Sequence, residues 1–376
     1  MTDAPDRQTI LTTRRQILAG FAALTGTALT APLMSVLAQD KPLKFAFANV
    51  SDAGELFKQF GDGFADIATR AGIQFSRYDN KMDGVAATNN ARLMVQEQPD
   101  VIFEYNIVEG IVPALQRTFE QANIPYVAIN VPVPGGHWFN LVNKDIGIQA
   151  ADVVVAAAQE RGWTAENTSI LIVQSSPSGV EVNDCVRYFY IRAAELMGLP
   201  QVAPEDISAT TTVISDAGVQ VDGKATLEDS YTAVKNVLQT IPADRNLLLF
   251  SVNDDSAIGT WRAVQESGRA ENSLIAGLGG SQAALKELRT NPNWVGEGSI
   301  FIANWGVYLV AMGLAISQGV TPPPLTKAPQ TVIDKTNVDT FYDADGNAIL
   351  LPPLVEENRY LADTGILQEY ATIEGL

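Results

Sequence analysis

Acidic residues at the ends of apolar runs are the first candidates for chemistry in this chain. The run over residues 43–50 is followed by Asp52 and Glu55, and the run 101–105 contains Glu104 just before Asn106. A Glu closing an otherwise apolar, buried stretch needs a partner, because an unpaired charge is costly away from water. Asp52 and Glu104 are of the type used for general acid–base work, yet nothing in their spacing specifies a reaction. Other chemistries lack their residues. One histidine, His137, and one cysteine, Cys185, cannot build a His/Cys metal cluster. Asp343-x-Asp345-Gly346-Asn347 opens like a calcium loop but lacks the distal Glu at the required position. Gly277-Leu278-Gly279-Gly280 is glycine-rich without the G-x-G-x-x-G spacing. Nucleophile-elbow and phosphate-loop spacings are missing. The expectation is a recognition protein with no metal, no cofactor and no enzymatic activity.

The elements that position these residues alternate along the chain. Short apolar strands are expected at 43–50, 73–78, 101–105 and 126–130, separated by helical patterns at 55–71, 86–98 and 111–122. The first helix carries Leu56, Phe60, Phe64, Ile67 and Ala71 at spacings of three and four. A second series follows, with helices at 146–161, 180–197, 226–239, 257–267, 282–290 and 307–318. Its strands lie at 169–174, 246–252, 274–278 and 298–303, with at least one more in the polar stretch 204–223. Strands separated by helices imply right-handed βαβ units and parallel sheets. The apolar stretch 305–316 reads as a buried helix, too short to span a bilayer. Residues 331–342 read as extended, and Asp345-Gly346 as a hairpin turn.

Composition and the N-terminus bound the setting. Thr13-Arg14-Arg15-Gln16-Ile17-Leu18 precedes an apolar run over 17–29, and Val36-Leu37-Ala38 offers a cleavage site. This is the layout of a twin-arginine export leader over residues 1–38, which predicts a periplasmic protein. The net charge of −18 argues against nucleic acid and anionic membrane as partners and suits a monomer. The length exceeds what one core usually holds, so two domains are expected. A single cysteine leaves no intrachain disulfide.

Several segments together resemble the periplasmic substrate-binding proteins of the ribose and galactose type, which serve ABC importers. Gln121-Ala122-Asn123-Ile124-Pro125-Tyr126-Val127 looks like that family's helix-to-strand passage before the first hinge crossing. Asn253-Asp254-Asp255-Ser256-Ala257-Ile258-Gly259, followed by residues 263–268, resembles its "ND-x-x-A-x-G" strand-to-helix unit. Residues 275–280 resemble "VGFDG", and Lys335-Thr336-Asn337-Val338-Asp339 is similar to the final hinge strand. The order and spacing of these pieces cover most of residues 43–342. The resemblance implies an α/β fold of two doubly wound parallel-sheet lobes joined by hinge strands, a type I periplasmic binding protein. One lobe would hold 41–142 plus about 304–330, the other about 143–303 plus 331–342, with 343–376 as hairpin and tail.

In open α/β sheets ligands bind beyond the carboxyl ends of the strands. By that rule and by the resemblance, the ligand-binding candidates are Asp52, Glu55, Phe57, Glu104, Asn106, Asn130, Trp138, Arg187, Asn253 and Trp305. Phe57 matches a ring that stacks on the ligand and equally suits a helix core. Asp52 and Glu55 suit a helix start as well as a hydroxyl contact. Asn253 matches a ligand-binding Asn, Asp254 an N-cap, and Arg187 an ion pair or a ligand grip. Two departures stand out: Asn130-Val131 replaces the family's Asp-Arg, and Gly279 replaces the Asp of "VGFDG". Trp138 and Trp305 supply aromatic faces instead, with packing as the alternative role. The implied function is capture of a small polar ligand, a sugar or polyol, by hinge closure and delivery to the membrane permease of an ABC importer. The alternatives are a sensory receptor's binding component, or a nucleoside-like or other non-sugar ligand.

Overall fold

The structure is a computed structural model that describes residues 41–376; the export leader expected over 1–38 lies outside the described residues. The first series runs β1 (Lys44–Asn49), α1 (Glu55–Arg70), β2 (Gln74–Asp79), α2 (Gly84–Gln96), β3 (Val101–Asn106), α3 (Val112–Ala122), β4 (Tyr126–Asn130) and β5 (His137–Asn140). The second runs α4 (Asn143–Glu160), β6 (Thr168–Gln174), α5 (Gly179–Met197), β7 (Val213–Ser215), β8 (Gly218–Asp222), α6 (Leu227–Val237), β9 (Asn246–Ser251), α7 (Asp254–Glu266), β10 (Ser273–Gly279), α8 (Gln282–Thr290) and β11 (Trp294–Ser299). Then come α9 (Trp305–Ser317), β12 (Thr326–Lys327), β13 (Thr331–Ile333), α10 (Val338–Phe341) and α11 (Ile366–Tyr370).

These strands form two sheets among the described residues. One is ordered β12-β5-β4-β3-β1-β2 and the other β13-β11-β10-β9-β6-β8-β7. The first is parallel throughout. The second is parallel except at its edges, where β13 and β7 run antiparallel to their neighbours. The helix starts follow local chemistry. Asp83, Thr226, Asn253 and Ser281 each accept a backbone N–H of the first turn of α2, α6, α7 and α8.

Helices α1 and α9 cover one face of the first sheet. Phe47 meets Phe60 at 5.3 Å, Phe64 meets Phe103 edge-on at 5.0 Å, and Trp305 meets Phe60 at 5.7 Å. Such edge-to-face pairs add to the area they bury. Helix α9 is buried almost all round, which its uniformly apolar sequence requires. Among the described residues no helix is long and apolar enough to cross a membrane. In the second lobe a Cβ at Gly147 would overlap the Cys185 carbonyl, and one at Gly259 would overlap that of Leu227. The helix pairs α4/α5 and α6/α7 therefore touch backbone to backbone.

The chain passes from sheet to sheet after β5, after β11 and after β12. Gln330 ties the first and third passages together: its Oε1 accepts from Val142 N at 2.7 Å and its Nε2 donates to Val142 O at 3.1 Å. Two expectations need correction here. The strand expected over 298–303 stops at Ser299, because Phe301 adopts a left-handed φ of 47°. The extended segment 331–342 stops at Ile333, where Asp334 and Asn337 close a turn into α10. The Asp334 carboxylate accepts from Thr336 N at 2.7 Å, and Asn337 Oδ1 accepts from Asp334 N at 2.9 Å.

The turn at Asp345-Gly346 brings Tyr342 and Ala348 into an antiparallel bridge. Asp343 holds it by accepting amides of Asp345 and Asn347. Beyond it the tail makes a fourth passage, back to the first sheet. Asn358 donates to Lys327 O at 2.7 Å, Tyr360 bonds Thr326, and Tyr370 Oη donates to Arg70 O. Gly147→Ala should cost on the order of 1–3 kcal/mol in urea unfolding, because α4 and α5 cannot part without losing their packing. A loss below roughly 0.5 kcal/mol would show that the helix pair slides freely.

Candidate functional site

The carboxyl ends of the two parallel sheets meet. Glu109, just after β3, reaches the turn before α5: a Cβ on Gly179 would stand 2.6 Å from Glu109 Oε1. Gly179 sits at φ +80°, so a side chain there would be both strained and obstructed. Asn143 and Glu181 add a 3.1 Å hydrogen bond beside the first passage. The loop after β3 and the turn that opens α5 are thus in contact, one from each sheet.

On the first lobe, strand ends carry a continuous polar network. Asn49, ending β1, donates to Ser51 O at 2.9 Å, Asp52 Oδ1 at 2.7 Å and Phe57 O at 2.9 Å. Asp52 is also paired with Arg77, whose other nitrogen bonds Asp62 at 2.7 Å. The side chain of Glu55 falls outside the described residues, so only its place at the start of α1 is fixed. The Phe57 ring is half-buried and stands edge-on to Tyr105 at 5.9 Å.

Glu104 is fully buried and finds the partner that its position requires. Asn80 Nδ2 donates to its Oε1 at 2.7 Å, and Asn90 in turn donates to Asn80 Oδ1 at 2.9 Å. Its Oε2 has no partner among the described residues. Burial pushes this carboxyl up to about 8, with the Asn80 bond opposing. Glu104 is therefore a neutral acid at pH 7, able to donate a proton in a hydrogen bond.

Asn106 and Asn130 stand side by side as the last register pair of β3 and β4. Asn106 closes on its own loop, accepting from Val108 N at 2.9 Å and donating to Val108 O at 3.0 Å. Asn130 takes a left-handed φ of 71°, which Asn tolerates better than most residues. Its carbonyl accepts from Trp138 Nε1 at 2.7 Å. Its half-buried side-chain amide makes no hydrogen bond among the described residues. Trp138 is itself half-buried, with its indole turned by that bond toward the end of β4.

Three other candidates are committed elsewhere. Trp305 is buried in the aromatic core against Phe60 and Phe139, and its Nε1 donates to Ile300 O at 2.7 Å. Arg187 is held by Asp184 at 2.6 Å and by Ile207 O at 3.1 Å. Asn253 caps α7, accepting from Ser256 N at 2.9 Å and donating to Ala225 O at 3.0 Å. The N-cap expected at Asp254 is thus supplied by Asn253. The Asp254 carboxylate turns inward instead and accepts from Ser281 N at 2.7 Å. His137 lies in β5, where burial lowers its pKa.

Glu297 was not singled out from the sequence. It lies mid-strand in β11 between Gly296 and Gly298, fully buried beside Asp254. An acid inside a buried strand was the available signal, the same one that marked Glu104, but the strand was expected to begin only at residue 298. No group of three or more His, Cys, Asp or Glu able to hold a metal occurs among the described residues.

Comparison with known proteins agrees with this architecture. An ABC transporter solute binding protein from Mycobacterium smegmatis with bound glycerol superposes with a TM-score of 0.66 at 18% identity, covering 82% of this chain and 99% of that one. One from Actinobacillus succinogenes 130z with bound D-allose gives 0.65 at 16% identity, over 80% and 100%. GanP, a glucose-galactose binding protein from Geobacillus stearothermophilus, gives 0.64 at 17% identity, over 79% and 99%. No curated protein sequence matches the chain. The family model described as periplasmic binding protein domain matches residues 45–312, and with the two parallel sheets and their repeated crossings it places the chain in that family.

Proposed function

We propose that this protein captures a small, uncharged, polyhydroxylated solute, a sugar or polyol, between its lobes by hinge closure. It would act outside the cytoplasm, as a monomer, and deliver the solute to the permease of an ABC importer. The observation that carries the reading is Asn130. Its amide is uncommitted at the carboxyl end of β4, and the backbone there holds a left-handed φ of 71°. Residues kept in sparsely populated backbone regions cluster at ligand clamps. Beside it stand Trp138 as an aromatic face and Asn106 as a second polar group; Phe57, against Tyr105, supplies a further ring after β1, and Glu104 supports the loop after β2 through Asn80. Aromatic faces suit the C–H faces of sugars, and amides suit their hydroxyls.

The charge arrangement favours a neutral ligand. Arg77 is occupied by Asp52 and Asp62, and Arg187 by Asp184. Neither guanidinium is free to grip a carboxylate or phosphate, and the net charge of −18 repels anions further. The solved relatives were crystallised with glycerol and D-allose, which fits this class.

A thermal-shift screen over sugars, polyols and nucleosides tests the class, since a cleft ligand raises the melting temperature by mass action. A rise with at least one neutral polyhydroxylated compound is expected. A rise with nucleosides or anionic compounds alone would overturn the sugar reading. Once a ligand is found, Asn130→Ala should weaken binding by roughly 1–3 kcal/mol, about five- to 150-fold, in calorimetric titration. Asn253→Ala should instead cost about 1 kcal/mol of folding stability through the lost cap, with affinity nearly unchanged. The reverse pattern would move the site to the second lobe.

A further inference from the structure

Beneath the second lobe's side of the gap lies an acid pair that ligand capture, as described so far, leaves without a role. Asp254 opens α7 and Glu297 lies in β11; both are buried, and they accept from consecutive amides of one loop, which places the two carboxyls side by side. Two buried carboxyls this close cannot both stay charged, so one of the two carries a proton. Backbone and indole donors meet the other oxygens. Asp254 Oδ2 accepts from Ser281 N at 2.7 Å, Glu297 Oε1 from Gly280 N at 3.0 Å, and Glu297 Oε2 from Trp294 Nε1 at 3.3 Å. Asp254 Oδ1 has no donor among the described side chains and amides, which leaves it to the shared proton.

The loop above the pair is shaped by it. Gly279 and Gly280 both take positive φ, 152° and 86°. A Cβ on Gly279 would stand 2.5 Å from Asp254 Oδ2, and one on Gly280 would stand 2.8 Å from the Tyr342 hydroxyl. The stretch that resembles "VGFDG" therefore has no room for an Asp at residue 279; the Asp254 carboxyl fills that place from below. Gly280 and Ser281 are fixed in turn by the two acids through their amides.

We propose that Asp254 and Glu297 act as one proton-sharing clamp that positions the 279–281 loop for the ligand, so that loss of the shared proton to water loosens the loop and weakens solute capture. The effect on capture rests on the interlobe binding reading above; the clamp itself does not. The groups facing the pair give the proton no competitor. Asp255, next on α7, pushes Asp254 the same way as burial does. The Tyr342 hydroxyl, from the tail, is bonded to Ser299, and burial raises its pKa. Trp294, Ser281 and Ser299 are uncharged. For Glu297 burial is the leading cause of a raised pKa, followed by the Asp254 charge.

The sign follows. A carboxyl raised in the folded state contributes stability that is complete below its unfolded pKa, near 4, and lost as pH climbs through the folded value. Glu104 has the same sign, so the informative comparison is between proteins that both retain it. Melting of ligand-free protein from about pH 6 to about pH 9 is compared for wild type, Glu297→Gln and Asp254→Asn. A Gln at 297 still accepts from Gly280 N and has no proton to lose, at the cost of the long bond from Trp294 Nε1. Wild type should lose several degrees more than either amide variant, and its Gly280 and Ser281 amides should lose exchange protection with rising pH, after correction for intrinsic rates, while those of Glu297→Gln hold theirs. Parallel melting curves in both variants, or pH-independent protection in wild type, would overturn the clamp. Because no ligand is present, a negative solute screen leaves this result intact, and a negative result here leaves the screen intact.

Discussion

Neither lobe of this protein can complete its core from one continuous stretch of chain. The first sheet needs α9 as its buried cover and β12 at its edge, and both are made only after β11, when the chain has run through most of the second lobe. The second sheet takes its last strand, β13, after the chain has already returned. Each half is therefore closed by a segment that must cross from the other. That interleaving holds the passages together at one side and turns the carboxyl ends of both sheets toward the same gap. The Gln330–Val142 pair is its local expression: two passages far apart in sequence are joined by two hydrogen bonds from one amide side chain.

Buried acids are the second organising element. Glu104 in the first lobe and Asp254 with Glu297 in the second are all buried, and each supports a loop rather than projecting into solvent. Burial makes the neutral form the cheaper one, so these groups act as donors as well as acceptors. A network of amides and protonated acids holds polar loops in place with less buried charge than the number of carboxyls implies. Exposed charge is carried by surface pairs such as Lys58–Asp62 and Arg192–Glu195 and, at the meeting of the two sheets, by Glu109.

The architecture was legible because each βα unit has its own signature. The period-3.6 pattern Leu56-Phe60-Phe64-Ile67 marks α1, and uninterrupted apolar runs mark the buried parallel strands. The side chains that do the work were less legible, for a local reason. Asn253 and Asp254 are adjacent, both can cap a helix, and both can take a buried polar role. Which does which depends on Ser281 and Glu297, far away in sequence. Trp305 reads equally as a cleft ring or a core ring until α1 is seen to cover it. The tail was hardest, since nothing in its polar sequence says that Asn358 and Tyr360 will bond β12.

The contact between Gly179 and Glu109 sets a mechanical limit. On the hinge-closing reading the two lobes behave as jaws, and their lips meet where one residue has no side chain. The clearance there is smaller than a methyl group. Residue volume at position 179 then acts as a soft stop: an added methyl group meets only the tip of the exposed Glu109 side chain, which must swing aside for the two lips to come this close.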